Sequence, residues 1–385
     1  MLALSVVTQS LPKYGLMLGN FATGVSILAP AGMLTLLAEG LNVGIRDTGL
    51  LVTFGAAILC IGSPVVAWLT TRIDRRTLLA GTLGVMVLGN AASALAPNYS
   101  TVLALRLVML AVAAIFTPQA ASTVALLVPA KERSGAIAFV FLGWSLAIAG
   151  GLPLITFVAA YAGWRAAFAA GAVAALVPFI LLAFALPRNL LGPPLSLESF
   201  GVLARNRKIV LLLLITILQT SGQFTVFVYL APLLQALTGA SHEIIGLMFA
   251  LYGVSGFVGN VIATRIVNRL GGWITSAVFL GCTLTGMSLW AFGAGFLPVM
   301  GAGMAIWGVG FAATNSMQQA RLVQAAPHLS SASVALNTSS LYVGQAIGSG
   351  LGGLLFSMGI IHGIGFVGIG FVAAAVVVWS MTRDR

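Results

Sequence analysis

Along this chain, long apolar runs alternate with short polar breaks. Their spacing predicts helices near 14–38, 48–69, 78–96, 101–128, 134–160 and 165–186, then 209–236, 243–264, 273–294, 296–320, 329–358 and 363–381. The runs are long enough for an α-helix to cross a ~30 Å hydrocarbon core, which takes about 20 residues. The pattern therefore predicts an all-α integral membrane fold of 12 transmembrane helices, arranged as two sets of six.

One break carries four charges in a very short space. It is Ala67–Arg76 (AWLTTRIDRR), where Arg72, Asp74, Arg75 and Arg76 follow a run that is charge-free from Thr48 to Leu69. The break has an echo, because an offset of 197 residues carries Arg72 onto Arg269, and Gly49, Leu50 and Gly62 onto Gly246, Leu247 and Gly259. That offset is about half the chain, which predicts two copies of one membrane unit. The longest polar interruption, Pro187–Lys208, contains Gly192-Pro193-Pro194 and reads as a linker. It divides the chain into an N-terminal six-helix half (1–186), the linker (187–208) and a C-terminal six-helix half (209–385).

Composition agrees with this reading, since 59% of residues are hydrophobic and 6% charged. Soluble proteins average about 25% charged. A net charge of +11 would suggest nucleic acid in a soluble domain. Here the basic residues sit in loops: with both termini cytoplasmic, 15 of the 18 Lys and Arg fall on the cytoplasmic side, Arg46 and Arg165 fall outside, and Arg106 lies within a span. This is the positive-inside pattern, so no nucleic-acid partner is expected. Cys60 and Cys282 fall in apolar segments of different halves and predict no disulfide framework. The opening MLALSVV is too short for a secretory signal core, and the first membrane helix is expected to act as the targeting signal.

Thr71-Arg72-Ile73-Asp74-Arg75-Arg76 resembles the Asp-Arg-x-Gly-Arg-Arg loop of the major facilitator superfamily, with Thr for Asp and Asp for Gly. Asn268-Arg269-Leu270-Gly271 is similar to the second copy of that loop. The resemblance covers nearly the whole chain. Arg106, IAGGLPL with AGWRAAF (Ile148–Leu154, Ala162–Phe168), TVFVYLAPLLQALTG (Thr225–Gly239) and QQARLVQAAP followed by SASVALNTSSLYVGQAIGSGLGG narrow it to the drug and sugar efflux branch, the arabinose-efflux-permease-like drug:proton antiporters. It implies a major facilitator fold in a bacterial-type cytoplasmic (inner) membrane, with an inner gate formed by Arg72, Asp74, Arg75, Asn268 and Arg269. It also implies a cavity lined by the first, fourth, seventh and tenth helices.

Arg106 stands out chemically, because a guanidinium within a span is costly unless it pairs, meets backbone carbonyls or faces water. The family resemblance makes it a brace on the first helix at the cavity border. The other polar side chains at membrane depth are neutral: Asn20, Thr23 and Ser26; Gln119; Gln219, Gln223 and Tyr229; Asn315, Gln318 and Gln319. Gln219 and Gln223 are four apart and share a helix face, as do Asn315 and Gln319. With Trp144, Trp307 and Tyr342 as aromatic walls, they predict an uncharged polar pocket. Any one of these groups also reads as glue between helices.

The seven acids, Glu39, Asp47, Asp74, Glu132, Glu198, Glu243 and Asp384, map to loops or helix ends, as do His242, His328 and His362. The efflux branch often has an acid in the first helix where this chain has Val25, Ser26 and Ile27, and a His in the fourth where it has Ala113. Proton antiport in its usual form is therefore not expected. Intramembrane hydrolysis or metal chemistry would need buried clusters of Asp, Glu, His or Cys, so no enzyme activity is expected. Gly363-Ile-Gly365-Phe-Val-Gly368 matches GxGxxG without a βαβ context, and no Walker A motif is present. No cofactor is expected. The reading is a monomeric transporter, in the lipid bilayer, exporting a small neutral or anionic polar solute or drug-like compound. Uptake of a metabolite and a non-transporting receptor of the same fold are the alternatives.

Overall fold

The computed structural model describes the chain except for residues 1, 71–72, 130–131, 192–196 and 384–385, and except for the side chains of 2–10, 63–68, 134, 197–199, 268 and 330–331. No strand is present among the described residues. The helices are α1 (Leu2–Gly32), α2 (Leu34–Leu41), α3 (Ile45–Leu69), α4 (Arg75–Ala94), α5 (Tyr99–Ala113), α6 (Phe116–Leu127), α7 (Arg133–Leu146) and α8 (Leu152–Ala185). After them come α9 (Leu197–Ala204), α10 (Arg207–Phe227), α11 (Leu230–Thr238), α12 (His242–Phe292), α13 (Leu297–Ala325), α14 (Ser330–Ser357) and α15 (Gly363–Ser380). They make twelve crossings. Ten described segments are long and apolar enough to span a membrane. One of these, Gly135–Ala185, folds as two crossings, and the polar-rich α14 supplies the remaining one.

The structure sharpens the sequence-based boundaries where backbone chemistry intervenes. The first helix begins at Leu2, its membrane-spanning part begins at Leu11, near the expected residue 14, and the crossing is broken between α1 and α2. Pro30 lacks the N–H that would bond the Ser26 carbonyl, and Met33 leaves the helical conformation at φ −131°. The fourth crossing breaks at Ala114-Ile115 and the seventh at Val228-Tyr229. Between the fifth and sixth crossings a single residue, Gly163 (φ 84°), makes the turn. Gly271 (φ 75°) does the same between the eighth and ninth, and a side chain there would force a strained left-handed backbone. The linker is not wholly irregular, because it contains α9.

Polar caps end the breaks elsewhere. Asp74 accepts a bond from the Thr77 N–H (3.2 Å), Asn98 from that of Thr101 (3.0 Å), and Asn206 from those of Lys208 and Ile209 (3.0 and 3.3 Å). In the fifth crossing, a π-helical turn at Ala147–Gly151 loosens the helix where the sequence places Gly150, Gly151 and Pro153.

Lipid tails are as apolar as leucine, so helices in a membrane associate through close packing more than through hydrophobic burial. Glycine supplies the close approach here. A Cβ on Gly344, Gly348 or Gly352 would lie 2.5, 2.3 or 2.4 Å from the carbonyl oxygens of Ile217, Ser221 and Thr225, so α14 lies directly on α10. Gly222 and Gly368 meet in the same way, which gives the GxGxxG segment a packing role in α15. The 197-residue echo reappears in three dimensions: Gly62 of α3 faces Ala111 and Ala114 of the fourth crossing, and Gly259 of α12 faces Val309 of the tenth.

Candidate functional site

Polar clusters lie inside the bundle in both sets of six. In the first six crossings, the Asn20 amide donates to the Val140 carbonyl (3.0 Å), and its oxygen accepts from the Thr117 hydroxyl (2.8 Å). Thr117 in turn accepts from the Trp144 indole (3.1 Å), so α1, α6 and α7 are tied together. Asn20 is fully buried, whereas Thr117 and Trp144 are half-buried.

In the last six crossings, Gln223 is the hub of a second cluster. Its amide oxygen accepts from the Trp307 indole (2.7 Å) and the Tyr252 hydroxyl (3.3 Å), and its nitrogen donates to Gln219, which donates on to Thr220. Phe227, Phe249, Tyr252, Trp307 and Phe311 pack ring against ring around it. Both oxygen lone pairs of Gln223 are engaged, so this group holds the aromatic cluster in place. A third cluster joins α10, α13 and α14: Thr216 donates to Asn337 (2.8 Å), and Asn337 donates to Asn315 (3.2 Å).

Arg106 is completely buried at mid-bundle. One guanidinium nitrogen donates to the carbonyls of Ser26 (3.0 Å) and Ile27 (3.3 Å), and the group lies 5.8 Å from the centre of the Phe168 ring. The Ser26 carbonyl is the one left without its helical donor by Pro30, so the charge occupies a place that the backbone break prepares for it. The Nε and Nη1 atoms of Arg106 have no partner.

The predicted pocket residues separate by burial. Asn20, Arg106, Gln219, Gln223 and Trp307 are fully buried, Gln119 and Tyr342 nearly so, and Asn315 and Gln319 half-buried. Tyr229 lies elsewhere. It begins α11, its hydroxyl donates to the Ser349 carbonyl (2.9 Å), and its ring fills the space above Gly49, Gly352 and Gly353. It belongs to a seal between the two sets of six near the end that carries Arg46. There Thr53 and Ser349 share a bond (2.9 Å), Thr35 donates to Gln235 (3.1 Å), and Tyr161 donates to Glu243 (2.6 Å).

At the opposite end, Arg72 lies outside the described residues, as does the side chain of Asn268, and Arg269 is exposed. Asp74 caps α4 and also accepts from the Leu190 N–H (2.8 Å), while the Arg75 N–H donates to the Leu190 carbonyl (2.9 Å). This loop thus clasps the start of the linker. In the other half, Arg321 donates to the hydroxyl and carbonyl of Thr382 (2.5 and 3.2 Å), and Trp273, Trp379 and Arg383 stack beside it.

Sequence reasoning missed Thr117, Thr216, Tyr252 and Asn337. Thr216, Gln219 and Gln223 are spaced three and four apart on one helix face, a stripe that points to Thr216. Tyr252 and Asn337 find their partners through long-range contacts that leave no local trace. Among the described residues, no group of three His, Cys, Asp or Glu is placed to hold a metal ion.

The sequence profile of the Major Facilitator Superfamily matches residues 16–349. The chain is 29% identical over 357 residues to the inner membrane transport protein YdhP of Escherichia coli (strain K12), covering 91% of this chain and 90% of that one. It is 28% identical over 379 residues to a probable sugar efflux transporter of Helicobacter pylori, covering 96% and 95%. Among solved structures, a bacterial homolog of the human lysosomal transporter Spinster, in an inward-facing and occupied conformation, has a TM-score of 0.72 at 15% identity, covering 96% of both chains. That likeness concerns the fold.

Proposed function

Because the chain belongs to the major facilitator superfamily, we propose that it is an inner-membrane transporter that exports a small neutral or anionic polar solute. Sugars are the first class to test. The two halves, 1–186 and 209–385, would rock about a midplane site, with both termini and the 187–208 linker on the cytoplasmic side.

The observation that carries this reading is the kind of polar group found at depth. Among the described residues the buried groups are amides, hydroxyls, indoles and the guanidiniums of Arg75, Arg106 and Arg321, of which Arg106 lies well inside a span, and no carboxylate. Glu39, Asp47, Glu132 and Glu243 are exposed near helix ends, and Asp74 is half-buried in its loop. An organic cation in a low-dielectric cavity needs a counter-charge, whereas a hydroxylated or anionic solute is served by these donors and by Arg106. The names of the relatives, transport protein and probable sugar efflux transporter, support the same direction.

In this reading, half-buried Thr117, Trp144, Asn315 and Gln319 touch the solute. Asn20, Arg106, Gln119, Gln219, Gln223, Trp307 and Tyr342 hold the walls, and Tyr229 serves the seal. A proton carrier titrating near neutral pH needs a buried acid or histidine, so proton coupling is expected to be weak or absent.

The test is transport in proteoliposomes, with and without a pH gradient, using neutral sugars, anionic sugar derivatives and a quaternary ammonium compound. Strong gradient-driven accumulation of the permanent cation would overturn the reading. Orientation is checked by Arg188→Cys, which should react with impermeant thiol reagents only from the cytoplasmic side.

A further inference from the structure

We propose that Gln345 is a solute-binding residue that donates from its amide to an oxygen of the transported molecule, directly beneath the seal at the Arg46 end. The proposal rests on the transport reading above and adds to it a residue, a donor and a place.

Gln345 is 2% exposed, and its Nε2 has no hydrogen-bond partner. A buried amide nitrogen left unpaired costs about 1–3 kcal/mol, so such a group persists where it is used. Its direction follows from its neighbours on α14. Gly348 lies against Ser221 and Thr225 of α10, and the Ser349 hydroxyl bonds Thr53 of α3. Position 345 projects between these two on the helical wheel, and so toward the seam that α14 bridges between α10 of the second half and α3 of the first. One turn further out, Ser349, Thr53 and the Tyr229 ring close that seam. On the other side, Thr338, Leu341 and Tyr342 continue the same helix face toward the linker end, where Thr338 and Leu341 are half-buried.

Gln345 is thus the last polar group on this face before the Thr53–Ser349 contact that closes that end. An oxygen acceptor bound there would satisfy the amide from within the site and would sit one helical turn from the Thr53–Ser349 contact. A hydroxylated or carbonyl-bearing solute fits this donor, and a cation does not.

Two measurements test the proposal. In proteoliposomes supplied with lactose and L-arabinose, Gln345→Leu and Gln345→Met keep most of the bulk but remove the amide donor and acceptor. Both should raise KM about 3- to 10-fold for whichever sugar the wild-type protein carries, the loss of one neutral hydrogen bond, with kcat less affected. Gln345→Asn should retain part of the affinity. Unchanged KM in both the Leu and Met variants would overturn the proposal.

The second measurement holds even if neither sugar is carried, a result that would count against the sugar class of the transport reading instead. Gln345→Cys, in a chain with Cys60 and Cys282 replaced by serine, should react with a small thiosulfonate reagent in membranes, and more slowly in the presence of a carried sugar. Absence of labelling under all conditions, or labelling indifferent to a carried sugar, shows that position 345 does not face the solute path.

Discussion

The two sets of six crossings build their interiors with different chemistry on one plan. In the first, a charged group holds the centre: Arg106 reaches across to the carbonyl that Pro30 leaves free, and a short chain of Asn20, Thr117 and Trp144 runs beside it. In the second, no charge lies at comparable depth among the described residues. Gln223 gathers an indole, a phenol and a second amide within a shell of aromatic rings. The difference teaches that a broken helix and a charge stabilise each other in this membrane protein. The break supplies an acceptor that lipid could not, and the guanidinium supplies the donor that proline took away. In the second set the seventh crossing also breaks, at Val228-Tyr229, but Gln223 lies within α10 before the break, and there neutral groups satisfy one another.

The largest expected effect tests that pairing. Arg106→Ala should abolish transport while the protein still inserts, and should lower stability by about 1–3 kcal/mol by leaving the Ser26 carbonyl unpaired. Arg106→Lys should rescue poorly, because a compact ammonium is more strongly hydrated than the delocalised guanidinium and costs more to bury without a counter-charge. Pro30→Ala restores the helical donor to Ser26. In that background the cost of Arg106→Ala in thermal unfolding should shrink, giving a coupling of about 0.5–3 kcal/mol. Strict additivity would break the comparison.

Next in size is the seal between the two sets. A Cβ at Gly49 would lie 2.0 Å from the Tyr229 hydroxyl oxygen, so Gly49→Val should obstruct closure at the Arg46 end at a cost of about 1–3 kcal/mol. Cysteines near that end should become more reactive to impermeant reagents, and Tyr229→Ala should relieve the effect. The neutral hub should respond less. Trp307→Phe removes one donor to Gln223, which keeps its bond from Tyr252, and should cost about 0.5–1.5 kcal/mol of thermal stability.

The smallest effect belongs to the linker clasp. Asp74→Ala should cost about 0.5–2 kcal/mol through loss of the α4 cap and should speed tryptic cleavage at Arg188. Asp74→Asn keeps an acceptor and should cleave at nearly the wild-type rate.

The clasp also shows how far a motif can be carried. The resemblance assigns Arg72, Asp74 and Arg269 to a latch between the halves. In this chain the acid stands where the family has glycine, and it is engaged by Thr77 and Leu190, beside the end of the sixth crossing. Tyr229 changes place in a similar way. Its sequence neighbourhood points to the cavity, but the break at Val228-Tyr229 turns its ring toward Gly49 and into the seal.

By itself, the sequence determined the twelve crossings, their arrangement as two related sets of six, and the isolation of Arg106. These follow from hydropathy and from helical hydrogen bonds closed within a few residues, which a one-dimensional pattern records. The four-residue spacing of Gly344, Gly348 and Gly352 and the Gly150-Gly151-Pro153 cluster are likewise written in the chain, because the absence of a side chain or of a donor is a local property. Only the tertiary structure decided which polar group meets which. Arg106 pairs with Ser26, Asn337 with Thr216 and Gln223 with Trp307 across 80, 121 and 84 residues of sequence. Each choice depends on the rotation and depth of one helix against another, which close packing of small residues fixes and the spacing of apolar positions leaves open.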